Sequence, residues 1–185
     1  MPGKTRDTNC EISSNVDARK LRLAGVIRES IVDGPGFRFM IFAQGCPHLC
    51  PGCHNPDTHD PAGGYDTTAE RLLTEIRKDT LLRGVTLSGG EPFAQARAFA
   101  ALAREVHALG LDVFAYTGYT FEKLLASADD ENCWLELLRE CDVLIDGRFI
   151  LAERSLVLPL RGSKNQRIID VAASLKAGAA VEREV

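Results

Sequence analysis

The run Phe37-Arg38-Phe39-Met40-Ile41-Phe42 is apolar at all but one position and leads through Ala43-Gln44 into Gly45-Cys46-Pro47-His48-Leu49-Cys50-Pro51-Gly52-Cys53-His54. A strand that is apolar at nearly every position suits cover on both faces, as in parallel sheets and barrels. Two prolines and two glycines keep the following stretch from running as a helix, so it reads as a tight loop leaving the C-terminal end of the strand. That loop carries three of the chain's six cysteines, in the pattern C-x3-C-x2-C. Three thiols turned toward one point are arranged to hold a metal group.

Outward from this unit, strand-like and helix-like segments alternate. Leu23, Val26 and Ile27 suggest a first strand ending near Ser30, with Asp33-Gly34-Pro35-Gly36 as a turn. Beyond the cysteine loop, Thr67 and Glu70 have the spacing of a capping box, and Ala69, Leu72, Leu73 and Ile76 line one helical face. Val85-Thr86-Leu87 reads as a short buried strand running into Ser88-Gly89-Gly90-Glu91-Pro92. Pro92 suits the first turn of a helix that Gly110 stops. Residues 111–116, 143–145 and 168–171 read as further strands, with short helices over 121–126 and around Trp134. The alternation predicts an α/β fold, an open partial (β/α) barrel with about five or six mainly parallel strands.

The chain has 185 residues, enough for one domain with a sizeable core. The expected organisation is a flexible N-terminal lead-in over 1–20, a single domain over 21–172 and a mobile C-terminal tail over 173–185. Cys10 stands alone in the lead-in and reads as incidental. A net charge of −4 offers no electrostatic case for nucleic acid or an anionic membrane, and no apolar run is long enough to span a bilayer. The first twenty residues lack the apolar stretch of a secretory signal, so a cytoplasmic location is expected, with the cysteines as thiols or metal ligands.

Three thiolates can hold three irons of a [4Fe–4S] cluster and leave the fourth open, whereas an electron-transfer cluster usually has four protein ligands. The alternative is structural zinc, with His48, His54 or His59 completing a Cys3His set. A redox dithiol at Cys50-Pro51-Gly52-Cys53 leaves Cys46 unexplained. Gly89-Gly90 gives backbone room for close approach to a ligand, or forms an ordinary strand-to-helix turn. Cys133 and Cys141 flank an apolar helix and read as small buried residues. Arg148, Arg161 and Arg167 read either as a basic rim for a partner or ligand, or as ordinary surface charge.

C-x3-C-x2-C followed by Gly-Gly-Glu-Pro resembles the radical S-adenosylmethionine enzymes. Further motifs narrow the likeness. They are Ser30-Ile31-Val32-Asp33-Gly34-Pro35-Gly36-Phe37-Arg38, Gln44-Gly45-Cys46-Pro47-His48, Gly52-Cys53-His54-Asn55-Pro56, Tyr116-Thr117-Gly118-Tyr119-Thr120, Asp146-Gly147-Arg148-Phe149 and Arg161-Gly162-Ser163-Lys164-Asn165-Gln166-Arg167. Over roughly residues 22–172 the chain resembles the activating proteins of anaerobic (class III) ribonucleoside-triphosphate reductase.

The resemblance implies a [4Fe–4S] cluster on Cys46, Cys50 and Cys53, and S-adenosyl-L-methionine chelated at the open iron. It implies that Gly52, Cys53, His54, Gly89 and Gly90 border that molecule, Gly90 being the contact favoured of the two loop glycines. Reductive cleavage would give a 5′-deoxyadenosyl radical, which would take a hydrogen from a glycine α-carbon of the reductase. The implied partners are that reductase and a low-potential, flavodoxin-like electron donor. Other readings are an activator of another glycyl-radical enzyme, such as pyruvate formate-lyase, and a non-catalytic metal-binding module. In the pyruvate formate-lyase activator, an acidic residue that helps hold a monovalent cation stands where this chain has Tyr116, although Asp146 ends the next strand. Gly52 departs from the aromatic residue that often precedes the third cysteine, and His54 is the candidate to cover the adenine instead.

Overall fold

The computed structural model describes residues 20–184. The lead-in through residue 19, including Cys10, lies outside the described residues. The elements in chain order are β1 (Lys20–Ser30), β2 (Phe37–Ala43), β3 (Tyr65–Thr68), α1 (Ala69–Ile76), β4 (Leu82–Gly89), α2 (Ala96–Ala108), β5 (Asp112–Tyr116), α3 (Phe121–Ala126), α4 (Trp134–Arg139), β6 (Val143–Asp146), β7 (Arg167–Asp170) and α5 (Val171–Ala177). The seven strands form one sheet in the order β3-β1-β2-β4-β5-β6-β7. β2, β4, β5 and β6 run parallel, while β1 against β2, β3 against β1 and β7 against β6 run antiparallel.

Two expectations need correction here. The sheet has seven strands rather than five or six, and only its centre is parallel. The connections explain the difference: a parallel neighbour needs a crossover, usually a helix. β2 to β4, β4 to β5 and β5 to β6 each include a helix, whereas β1 turns directly into β2 through residues 31–36, and β6 reaches β7 without an α-helix. β3 was not foreseen. Its four residues pair with β1, Thr67↔Leu21 among them, so Thr68 rather than Thr67 caps α1, accepting the backbone N–H of Arg71.

The core follows from strand alternation. Phe39, Ile41 and Ala43 of β2, with Leu87 of β4 and Ala115 of β5, pack with Leu72 and Leu73 of α1 and with Phe99 and Leu102 of α2. The intervening residues face the other way, and Met40, Phe42, Ser88 and Tyr116 line a cavity of about 660 Å³. β2 is therefore covered on both sides, by helices on one and by loops on the other, as its nearly continuous apolar pattern requires.

On that second face Arg38 is fully buried. Its guanidinium lies over the Phe114 ring at 4.0 Å, places Nη1 2.7 Å from Asp112 Oδ1 and donates to the Val85 carbonyl and the Thr86 hydroxyl. Thr86 in turn donates to the Asp33 carbonyl, tying the 31–36 loop to β4.

The end of the chain also differs from expectation, because residues 173–184 are not a free tail. α5 is capped by Asp170, which accepts from the Ala173 N–H, and Asp170 N and Arg183 N bond the returning segment to β7. No helix among the described residues is long and apolar enough to cross a membrane.

Candidate active site

The parallel strands send their loops to one edge of the sheet, and the cysteine loop is pinned there by backbone bonds. Gly45 N donates to Thr58 O and Cys46 N to His59 O, while the buried Gln44 amide donates to the carbonyls of Asp57 and Asp60. Leu49 and Gly52 take positive φ of 48° and 72°, which folds the loop back on itself. Cys46, Cys50 and Cys53 are free, half-buried, and line the same cavity. Backbone N–H groups of His48 and Leu49 point at the Cys46 sulfur, and Asn55 N lies 3.4 Å from the Cys53 sulfur. Such donors suit thiolates that ligate a metal cluster. Burial pushes the Cys46 thiol above its ordinary range, the nearby Glu91 charge adds to the rise, and the two N–H groups oppose it.

Ser88-Gly89-Gly90-Glu91-Pro92 lies directly against this loop. Gly90 N donates to Ala43 O at 2.8 Å and Glu91 N to Gly45 O at 2.9 Å. A Cβ on Gly90 would stand 2.4 Å from the Gly45 carbonyl oxygen, and one on Gly89 would stand 2.6 Å from Phe42 Cα. The glycines thus let two protein backbones touch, a requirement that holds whether or not a ligand is bound. Gly89 and Gly90 also line the cavity.

Glu91 is fully buried and joins three loops. Its carboxylate accepts the Phe93 N–H at 3.0 Å, the Gly118 N–H at 2.9 Å and the Thr117 hydroxyl at 3.0 Å to each oxygen. His48 Nε2 lies 2.8 Å from the same carboxylate. The His48 ring meets Tyr119 edge-on at 4.5 Å, and a Cβ on Gly118 would sit 2.3 Å from it. His48 Nε2 is therefore engaged by Glu91, which counts against this nitrogen as the fourth ligand of a Cys3His zinc site. His54 packs against Phe149 with ring centroids 5.0 Å apart and also lines the cavity.

Comparison with known proteins places this geometry. A family model described as a 4Fe-4S single cluster domain matches residues 32–169. An anaerobic ribonucleoside-triphosphate reductase-activating protein from Vibrio cholerae is 37% identical over 147 residues, covering 75% of this chain and 90% of the relative. The protein of that name from Escherichia coli K12 is 31% identical, covering 74% of this chain and 90% of its own. The one from Enterobacteria phage T4 is 35% identical, covering 74% and 86%. The chain belongs to this family. A solved structure, QueE from Escherichia coli, aligns with 55% of this chain and 53% of its own at 19% identity and a TM-score of 0.40, too distant to support an argument.

Within the family's 4Fe-4S domain, three free thiols on one cavity wall, two of them facing backbone N–H donors, form a donor set that fits the cluster. Other residues stand differently from expectation. Asp146 is buried and its carboxylate is met by Arg167 through Nε and Nη2, while it also accepts the Phe121 N–H at 2.7 Å. The Asp146 carboxylate is thus already paired with a guanidinium of the same chain. Arg167 also pairs with Glu122 at 2.8 Å, so it braces β7 against α3 and is not a free rim charge. Arg161 lines the main cavity, and Arg148 is exposed beside it.

Cys133 and Cys141 are both buried, and neither lines the cavity. Burial pushes the Tyr116 hydroxyl upward, so Tyr116 lines the cavity as a neutral group. The residues that sequence reasoning missed are Glu91, taken only as a helix start, together with Thr117 and Gly118 as its donors. A charged residue between a glycine pair and a proline was the available signal.

Proposed function

We propose that this chain activates an anaerobic ribonucleoside-triphosphate reductase by installing a glycyl radical in it. The reading rests on one observation: Cys46, Cys50, Cys53, Gly89 and Gly90 line a single cavity in a chain of the activating-protein family. When bound, the [4Fe–4S] cluster supplies the electron that cleaves S-adenosyl-L-methionine, and the 5′-deoxyadenosyl group so released takes hydrogen from a glycine α-carbon of the reductase.

The chain's own residues position the reactants and exclude water. Cys46, Cys50 and Cys53 would hold the cluster through three irons, leaving one iron without a protein thiolate. Cys53 and His54 would border S-adenosyl-L-methionine, with Phe149 against the His54 ring, while Gly52, exposed and facing Leu151, lies outside the cavity lining and would reach that molecule only at its edge. The Gly89–Gly90 edge borders the methionine part, Met40, Phe42 and Tyr116 close the floor, and Arg161 stands at the rim.

In this reading residues 21–172, with the rest of α5 and the returning segment bonded to them, form the working domain, and the sheet curls as an open partial barrel around the cavity. The protein works in the cytoplasm and takes its electron from a flavodoxin-like donor. The test mixes anaerobically reconstituted protein, reductant, S-adenosyl-L-methionine and the candidate reductase. A glycyl-radical doublet by electron paramagnetic resonance together with released 5′-deoxyadenosine is the expected outcome. Cleavage without the doublet, alongside a doublet on pyruvate formate-lyase, would reassign the substrate.

A further inference from the structure

Glu91 buries a carboxylate where the cysteine loop meets the loops that follow β4 and β5. All four groups that meet its carboxylate can act as donors: two backbone N–H groups, the Thr117 hydroxyl and the His48 ring. Such a set suits the carboxylate form, which accepts only, better than the acid. Three of the four are neutral donors, the fourth is the His48 ring at 2.8 Å, and neither lysine nor arginine is among them. In a water-poor wall the carboxylate's charge acts over longer distances than it would in solvent.

Glu91 is bonded to residues on both sides of Cys46. Glu91 N donates to the carbonyl of Gly45, the residue before Cys46, and the carboxylate bonds His48, two residues after Cys46. Cluster potentials are set by net charge, by hydrogen bonds to the sulfurs and by exposure. A fixed negative charge beside one ligand disfavours the extra electron, and a cluster that resists reduction is a stronger donor once reduced.

We infer that Glu91, seated by His48 and Thr117, is a tuning residue that holds the potential of the Cys46–Cys50–Cys53 cluster low. The inference rests on the cysteine assignment made above.

The test compares wild type, Glu91→Gln and Thr117→Val after anaerobic reconstitution, each assayed for iron and sulfide and then titrated redox-wise by electron paramagnetic resonance. Glu91→Gln keeps the shape and removes the charge, so its midpoint should move to higher potential. Thr117→Val keeps the charge and removes one of its donors, so its midpoint should move to lower potential. Opposite shifts at equal cluster content are the expected result, because a purely structural role has no reason to give two signs. Unchanged potentials, or shifts in one direction, overturn the inference while leaving the cluster assignment intact. If Glu91→Gln retains no cluster, Thr117→Val decides by itself: a downward shift supports the inference, and an unchanged or upward one overturns it. A wild-type protein that takes up no iron and sulfide would overturn the cysteine assignment and this inference with it.

Discussion

Replacing Gly90 by alanine separates two reasons for a glycine beside the cysteine loop. The added Cβ would stand 2.4 Å from Gly45 O, 2.9 Å from Gly45 C and 3.0 Å from Ala43 O. All three are backbone atoms, so no flexible side chain can yield, and ordinary contact requires the two segments to part by roughly 1 Å. That movement stretches the Gly90 N to Ala43 O and Glu91 N to Gly45 O bonds, each worth about 0.5–1.5 kcal/mol net. Overpacking in a close-packed region adds about 1–3 kcal/mol. Together these place the loss at about 2–6 kcal/mol, which for a chain of this size lowers the melting temperature on the order of 10 °C. Because Gly45 precedes Cys46, cluster content should fall with stability. Anaerobic thermal unfolding and iron analysis of Gly90→Ala read both quantities. A variant that melts within about 2 °C of wild type and fills with cluster, yet binds S-adenosyl-L-methionine weakly, would refute the reasoning and leave ligand contact as the glycine's sole role.

Replacing any one of Cys46, Cys50 and Cys53 by alanine should abolish 5′-deoxyadenosine release, read by chromatography. Cys141→Ala, at a buried site away from the cavity, should keep full iron content and lose only about 1 kcal/mol. Asp112→Asn strands the buried Arg38 guanidinium, whose charged form burial already disfavours, and should destabilise by about 3–5 kcal/mol in urea unfolding. The double variant Arg38→Met/Asp112→Asn should recover part of that loss, and additive losses would show the pair to be uncoupled. Glu122, hydrogen-bonded to Arg167, is held down to about 2 from an ordinary 4.5. Its contribution is therefore complete above 4.5 and lost as pH falls from there toward 2. Because the pair is largely exposed, the effect is on the order of 1 kcal/mol or less. The stability gap between wild type and Glu122→Gln should close over that interval, and a gap that stays constant would show the pair to be silent.

Much of the fold was legible because burial on both faces leaves a direct mark. The unbroken run ending β2 and the alternation of strands with amphipathic helices both follow from it. The edges were less legible. β3 is four residues of Tyr-Asp-Thr-Thr, too short and too polar to show a period, and it exists because β1 offers it a partner. Strand direction at β1 and β7 depends on whether the intervening chain crosses over, which local pattern does not encode. In the site, the cysteines and glycines announced themselves by type and spacing. Glu91 and Asp146 did not, because their roles lie in partners distant in sequence. Glu91 finds Thr117 and Gly118 across a whole βα unit, and Asp146 finds Arg167 across the return to β7.

The register of the sheet is what brings those distant partners together. Ala43 of β2 pairs with Gly89 of β4, and Leu87 of β4 pairs with Ala115 of β5. Two residues beyond, the first pairing brings Gly45 level with Glu91 and the second brings Gly89 level with Thr117; Glu91 N bonds Gly45 O, and the Thr117 hydroxyl reaches two residues along β4's loop to the Glu91 carboxylate. The same register sends Met40, Phe42, Ser88 and Tyr116 to the cavity face. A slip of one residue between β2 and β4 would turn those side chains into the helical layer and separate Glu91 from His48. Gly89 and Gly90 hold that register by permitting contact that any side chain would prevent, and Glu91 fixes it by bonding to both neighbouring loops. The Gly-Gly-Glu-Pro element is therefore best understood as the joint that aligns the cysteine loop with the rest of the cavity, and any ligand contact made by its glycines depends on that alignment.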